Sequence, residues 1–156
     1  MAKHDAATVH ASAVLVGTRA VLIRGPSGAG KSRLAWELIE AARRHAGSFA
    51  CLVGDDRVHL HSAHGRLLVR PAETLTGLIE LRGIGILRCD HEPCAGVGLV
   101  VDLAAGHAER LPEREQTIVL TEVTLPRLAV APGVAPLPMV LAMVTSAGAA
   151  KVSKVT

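Results

Sequence analysis

The chain of 156 residues has no Tyr, one Phe and one Trp, so it lacks the aromatic platforms on which single-stranded bases stack. An excess of one charge is also missing. Lys and Arg number 17 and Asp and Glu 14, a formal net charge of +3 with His neutral, and the basic residues are scattered, so no nucleic-acid partner is expected. There is no Asn, which excludes the Asn-Lys-x-Asp segment that reads guanine in GTPases. No apolar run is long enough to span a bilayer. Residues 128–150 carry no charge, but Pro132, Gly133, Pro136 and Pro138 interrupt them, leaving 138–150 as a short buried helix and no membrane contact. Cysteine is sparse and odd in number (Cys51, Cys89, Cys94), behind a polar N-terminus without an apolar leader, which points to reduced thiols and a cytoplasmic location.

What is present is an apolar core. Hydrophobic residues make up 49% and charged residues 20%, which excludes whole-chain disorder, and the length fits one domain over 1–156. Residues 11–16 and 20–23 are apolar runs around a Gly17-Thr18 turn and read as a hairpin. A glycine-rich loop follows, and 31–45 has helical spacing, with Leu34, Leu38 and Ala42 on one face and Gly47 as the stop. Residues 51–53 return as a strand. Beyond Arg57 the pattern turns antiparallel: strands surround His64-Gly65, 78–87 is apolar with Glu80 and Arg82 inside it, and 97–103 is a strong strand. The stretch 104–115 reads as a loop, and 117–123 and 128–130 as two short strands. The fold class is α/β with a mixed, partly antiparallel sheet.

The loop is Gly25-Pro26-Ser27-Gly28-Ala29-Gly30-Lys31-Ser32, a match to G-x-x-x-x-G-K-[ST] between a strand and a helix. Glycines let successive backbone N–H groups turn inward around phosphate oxygens at a helix N-terminus. Lys31 can then reach the β- and γ-phosphates, and the Ser32 hydroxyl can ligate Mg²⁺, so ATP and Mg²⁺ are the expected ligands. The chain is short for a transporter or motor ATPase, which leaves small kinases and phosphotransferases. Val53-Gly54-Asp55-Asp56 then puts two carboxylates at a strand end, where one can help hold the metal and the other accept a proton. Neighbouring strand residues point in different directions, which suits that division. A solvated Gly-Asp-Asp turn is the plainer alternative. Glu80 and Arg82 in an apolar run are costly unless paired, bound to metal or facing a cleft; a half-buried ion pair is the plainer alternative.

Taken together, these residues resemble the HPr kinase/phosphorylases, bacterial serine kinases of the phosphotransferase-system carrier protein HPr. Four features carry the likeness. His10 precedes Lys31 by 31 − 10 = 21 positions, 53–56 look like the family's Asp-Asp motif, 78–85 are similar to its Leu-Ile-Glu-Ile-Arg-Gly-Leu-Gly signature, and Glu109-Arg110-Leu111 resembles its Asp-Arg-Leu. The resemblance implies a P-loop kinase domain in which Ser32, Asp55 and Glu80 form the metal site and Asp56 exchanges the proton of the substrate serine. It also implies that His10, Lys31 and Arg110 stabilise charge on the moving phosphoryl group. HPr or an HPr-like protein becomes the expected partner, and a hexamer the expected assembly.

Two departures change the expectation. The family's large N-terminal domain has no counterpart in these residues, as in the short single-domain variants of some proteobacteria. Its Lys-Pro-Gly-Arg-Asn motif, linked to phosphorolysis, reads Ala131-Pro132-Gly133-Val134-Ala135, so the kinase direction is favoured over the reverse. Pro26 replaces the loop's usual Asp at a position where the backbone makes most contacts. Two metal-like clusters are set aside: alternation puts His59 and His61 on one strand face with His64 in the turn, and the cysteines of 89–94 lack the C-x-x-C spacing that zinc sites favour. Arg82 and Arg88 are candidates for touching the partner protein. A small-molecule kinase and a nucleotide-gated module without catalysis are the alternatives. Substitution of Asp56 separates catalysis from binding.

Overall fold

A computed structural model describes residues 7–108 and 116–145. The first two strands, β1 (Thr8–Val16) and β2 (Arg19–Arg24), form the expected antiparallel hairpin. The phosphate loop leads into helix α1 (Lys31–Arg43), which buries Leu34, Ala35, Leu38 and Ile39 at helical spacing. On its outer side Arg33 pairs with Glu37 at 2.7 Å, and Arg43 pairs with Glu40 at 2.6 Å, contacts that add only a few tenths of a kcal/mol each. The helix stops two residues earlier than its spacing suggests, and Gly47 follows in the left-handed region. Strand β3 (Ala50–Gly54) returns beside β1 and ends at the acidic pair.

Next come β4 (Arg57–Ala63) and β5 (Arg66–Pro71), a hairpin turning at His64-Gly65. A small separate pair, β6 (Leu78–Leu81) and β7 (Gly85–Arg88), precedes the long strand β8 (Ala95–Asp102). The last elements are β9 (Thr117–Leu120), β10 (Val123–Ala129) and helix α2 (Pro136–Thr145). Eight strands make one mixed sheet. β1 pairs with β2 and β4, β4 with β5, β5 with β8, and β8 returns to pair in parallel with β2. These five strands therefore close on themselves.

Closure creates two cores. Ala11, Ala13, Ala20, Leu22, Val53, Val58, Leu67, Val69 and Val97 fill the ring's interior. The other core lies between the sheet and the helices, where Leu34, Leu38 and Ile39 meet Val21, Ile23, Leu99, Val101 and Val140. Each fully buried Leu, Ile or Val contributes about 1.5–3 kcal/mol.

Three sequence expectations need correction. The run 117–123 is not one strand: Thr121 and Glu122, both at positive φ, form a turn between β9 and β10. The expected strand 128–130 is the tail of β10, which includes Pro126 and adds in parallel to β8 only over Arg127–Ala129. Glu80 and Arg82 are not half-buried, since both are exposed. Cys51 is buried, and burial, with Glu92 and Asp90 nearby, pushes its thiol pKa up; Cys89 is raised mainly by burial as well. No helix of the described residues is long and apolar enough to cross a membrane.

Candidate active site

Strand β2 is central in the ring, so its C-terminal end delivers the phosphate loop at a fixed place above the sheet. Gly28 and Gly30 adopt positive φ (80° and 97°), a conformation that L side chains rarely take. Gly30 is also the N-cap of α1, whose first-turn N–H groups face the loop. Lys31 is only 7% exposed and donates to the carbonyls of Gly25 at 2.8 Å and Pro26 at 3.0 Å. Burial lowers its pKa, while the carboxylates of Asp56 and Asp55 pull the other way. The ammonium is thus folded onto the loop, within the field of both acids.

The acidic pair ends β3 and splits as the sequence spacing suggests. Asp55 points inward and is 3% exposed. Its carboxylate accepts hydrogen bonds from Ser12 Oγ at 2.6 Å, from Ser32 Oγ at 2.7 and 2.9 Å, and from the Glu80 backbone N–H at 3.1 Å. Asp55 thereby ties together β1, the phosphate loop and β6. Asp56 points out. It has φ 65°, and the Arg57 N–H donates to the Asp55 carbonyl at 2.7 Å, so the chain makes a tight γ-like turn of a rarely occupied kind. His10 Nε2 lies 3.1 Å from Asp56 Oδ1, and both side chains are open to solvent.

Most of the predicted residues meet here. Gly25, Pro26, Ser27, Gly28, Ala29, Gly30, Lys31 and Ser32 form the loop, Asp55 touches Ser32, Asp56 touches His10, and Glu80 joins through its backbone with its carboxylate exposed. Arg110 lies outside the described residues. Arg82 sits nearer the loop than its sequence position suggests: its Nη2 is 3.6 Å from where a Cβ on Gly28 would be.

Two contributors are absent from the sequence reading. Ser12 is completely buried, and its only signal is one hydroxyl inside an apolar strand. The other is a clamp under the loop. Asp102, at the end of β8, accepts from Arg24 Nε at 2.8 Å and Nη2 at 2.9 Å and from Arg127 Nε at 2.5 Å. Burial pushes the Asp102 pKa up, but hydrogen bonds and charge from the two guanidinium groups outweigh it and hold the carboxyl below its ordinary value. Arg24 directly precedes Gly25, so this clamp fixes the foot of the loop.

Comparison with known proteins gives the family and the fold. The model of the HPr Serine kinase C-terminal domain matches residues 3–152. The chain belongs to this family. It is 42% identical over 81 residues to the HPr kinase/phosphorylase of Streptococcus thermophilus, an alignment covering 51% of this chain and 24% of that protein. It is 31% identical over 135 residues to the HPr kinase/phosphorylase of Levilactobacillus brevis, covering 79% and 41%. The corresponding protein of Geobacillus thermodenitrificans is 33% identical over 134 residues, covering 78% and 41%. The alignments with these curated relatives thus span between 24% and 41% of their length. Among solved structures, the Hpr(Ser) kinase/phosphatase from Coxiella burnetii superposes with a TM-score of 0.73 at 22% identity, covering 90% of this chain and 89% of that one. The mixed α/β fold expected from the sequence is the family's fold.

Proposed function

We propose that the chain is the catalytic domain of a protein-serine kinase that transfers the γ-phosphoryl group of ATP to HPr. The observation that carries this reading is the split acidic pair: a buried Asp55 bonded to the phosphate-loop hydroxyl, and an exposed Asp56 beside His10. The relatives named HPr kinase/phosphorylase support the choice of acceptor.

In this reading the loop N–H groups and the start of α1 hold the nucleotide phosphates. Lys31 swings from the Gly25 and Pro26 carbonyls to the β- and γ-phosphates. Ser32, Asp55 and Glu80 offer only oxygen donors, a set that fits a small, hard dication such as Mg²⁺. When bound, that ion supplies charge neutralisation on the phosphates. Asp56 takes the proton from the serine hydroxyl as the serine oxygen bonds to the γ-phosphorus. The bond from that phosphorus to the bridging oxygen breaks, and ADP leaves. His10, with its Nε2 3.1 Å from Asp56 Oδ1, holds that carboxylate in place beside the transferred group. The family resemblance adds Arg110 as a further positive group. In phosphorolysis an oxygen of inorganic phosphate would bond to the phosphoserine phosphorus, the bond from that phosphorus to the serine oxygen would break as the oxygen takes a proton back from Asp56, and pyrophosphate would leave. Phosphorolysis is weakened here because 131–135 lack the basic residues of the related motif. The reading includes a cytoplasmic, homo-oligomeric enzyme, a hexamer on the family pattern.

The test is transfer of label from γ-labelled ATP to HPr by the wild-type chain and by Asp56→Asn. The variant is expected to bind MgATP like the wild type and to lose transfer by about 10²–10⁴-fold, the span typical of general acid–base catalysis. Undiminished transfer would remove Asp56 as the base. Transfer to a small metabolite in place of HPr would favour a small-molecule kinase.

A further inference from the structure

Strand β1 meets the acidic pair with one polar side chain for each acid. Ala13 stands opposite Gly54 in the pairing with β3, and His10 opposite Arg57 in the pairing with β4. The same register sets Ser12 opposite Asp55 and Ala11 opposite Asp56, and the Ala11 N–H donates to the Asp56 carbonyl at 3.2 Å. Alternate residues of a strand share a face. His10 and Ser12 are therefore aimed to one side, while Ala11 and Ala13 fill the ring interior. His10 reaches Asp56 at 3.1 Å, and the Ser12 hydroxyl donates to Asp55 Oδ1 at 2.6 Å.

The two contacts differ in kind. His10 and Asp56 are open to solvent, whereas Ser12 is completely buried and Asp55 nearly so. Among the described residues no Lys, Arg or His forms an ion pair with Asp55, and the Lys31 ammonium is engaged with the Gly25 and Pro26 carbonyls. A buried carboxylate without a paired cation is costly. Three donors hold it: Ser12, Ser32 and the Glu80 N–H. Ser32 has a single hydroxyl proton, turned to the carboxylate at 2.7 and 2.9 Å, so its lone pairs stay free for a cation. Ser12 is enclosed and meets no ligand directly. Alanine occupies both flanking positions, so what the Ser12 hydroxyl adds to this strand is a donor to Asp55.

We propose that Ser12 is a positioning residue of the metal–nucleotide site: its hydroxyl pins Asp55 Oδ1 and keeps that carboxylate aligned with the Ser32 hydroxyl. This deepens the reading of Ser32, Asp55 and Glu80 as a metal site and does not depend on HPr as the acceptor. A carboxylate that turns freely about its own side-chain bonds offers a dication many arrangements, and fixing one of them costs binding energy. Ser12, held on a buried strand, fixes the arrangement before the ligand arrives. Hydrogen bonds that orient a metal's ligands from behind govern its affinity in this way.

The experiment is calorimetric titration of the whole chain with ATP, with and without Mg²⁺, for wild type, Ser12→Ala, Asp55→Asn and the double variant, alongside urea unfolding of each. Ser12→Ala is expected to weaken ATP binding about tenfold in the presence of Mg²⁺ and to leave metal-free ATP binding within about twofold of wild type. In the Asp55→Asn background the same substitution is expected to add less than about twofold, because Ser12 acts through that carboxylate. A Ser12→Ala chain with a lowered urea midpoint and wild-type MgATP affinity would leave the hydroxyl a purely structural part and overturn the proposal. Equal losses with and without Mg²⁺ would overturn it as well, as would an undiminished loss on top of Asp55→Asn. A wild-type chain that binds ATP equally well with and without Mg²⁺ overturns the metal-site reading, and this proposal with it.

Discussion

Asp55 tests the site most sharply because two substitutions of one side chain separate its structural role from the metal-binding role proposed for it. Its carboxylate accepts from the completely buried Ser12 hydroxyl, from Ser32 and from the Glu80 N–H. Asp55→Ala leaves the Ser12 hydroxyl and the Glu80 N–H without their acceptor. Each such loss costs about 1–3 kcal/mol. Relief of the buried negative charge offsets part of that, so a net loss of about 2–4 kcal/mol follows. Asp55→Asn behaves differently. Its carbonyl oxygen can still accept from Glu80, and its amide can donate to Ser12 and Ser32, whose hydroxyls rotate to accept. Stability is then expected within about 1 kcal/mol of wild type. Both variants are expected to lose MgATP affinity by about 10–100-fold, the cost typical of disturbing a metal's supporting shell. Trp36, the only tryptophan, packs against the helix–sheet core and reports urea unfolding by fluorescence. Calorimetric titration with ATP, with and without Mg²⁺, reports the affinity. An Asn variant as unstable as the Ala variant would refute the hydrogen-bond argument, and wild-type MgATP affinity in either would refute the metal site.

Three further outcomes follow from the packing. Gly54→Ala places a Cβ 2.7 Å from Val58 Cγ1 and 3.1 Å from the Pro71 backbone, and its urea midpoint should report a loss of about 1–3 kcal/mol from overpacking. Lys31→Met removes a charged amine whose burial is unfavourable. Thermal melting should show stability equal to or above wild type, while MgATP binding falls about tenfold or more with loss of the phosphate-directed charge. For Asp102 the folded pKa lies below the ordinary 3.8, so the unfolded chain binds more protons in that interval. Its contribution is present above pH 3.8 and disappears as pH falls through the folded value. Asp102→Asn is expected to be less stable at neutral pH and to flatten the acid limb of a pH–stability profile, whereas an unaltered acid limb would contradict the clamp.

Local chemistry made much of this site legible. Positive φ at Gly28 and Gly30 is the reason for the glycine spacing, and apolar positions at helical intervals announced α1. Asp55 and Asp56 at a strand end had to diverge, and they do. What stayed hidden is non-local. Nothing within residues 95–102 says that β8 pairs with β2, β5 and β10 at once, because ring closure is decided by partners distant in sequence. The Thr121-Glu122 turn carries no Gly, Asn or Pro, so no turn chemistry marked it. Pro126, which has no N–H for a ladder, sits where β10 has an edge strand on one side and joins β8 only one residue later. Ser12 and Asp102 gained meaning only when the fold brought Asp55, Arg24 and Arg127 to them.

The central claim is that this domain phosphorylates a serine of HPr, and intact-mass and fragment mass spectrometry of HPr after incubation with the chain, ATP and Mg²⁺ tests it most directly. The account predicts one added phosphate, localised to serine, dependent on Mg²⁺ and absent with Asp56→Asn. Unmodified HPr in the presence of a chain that demonstrably binds MgATP would contradict it.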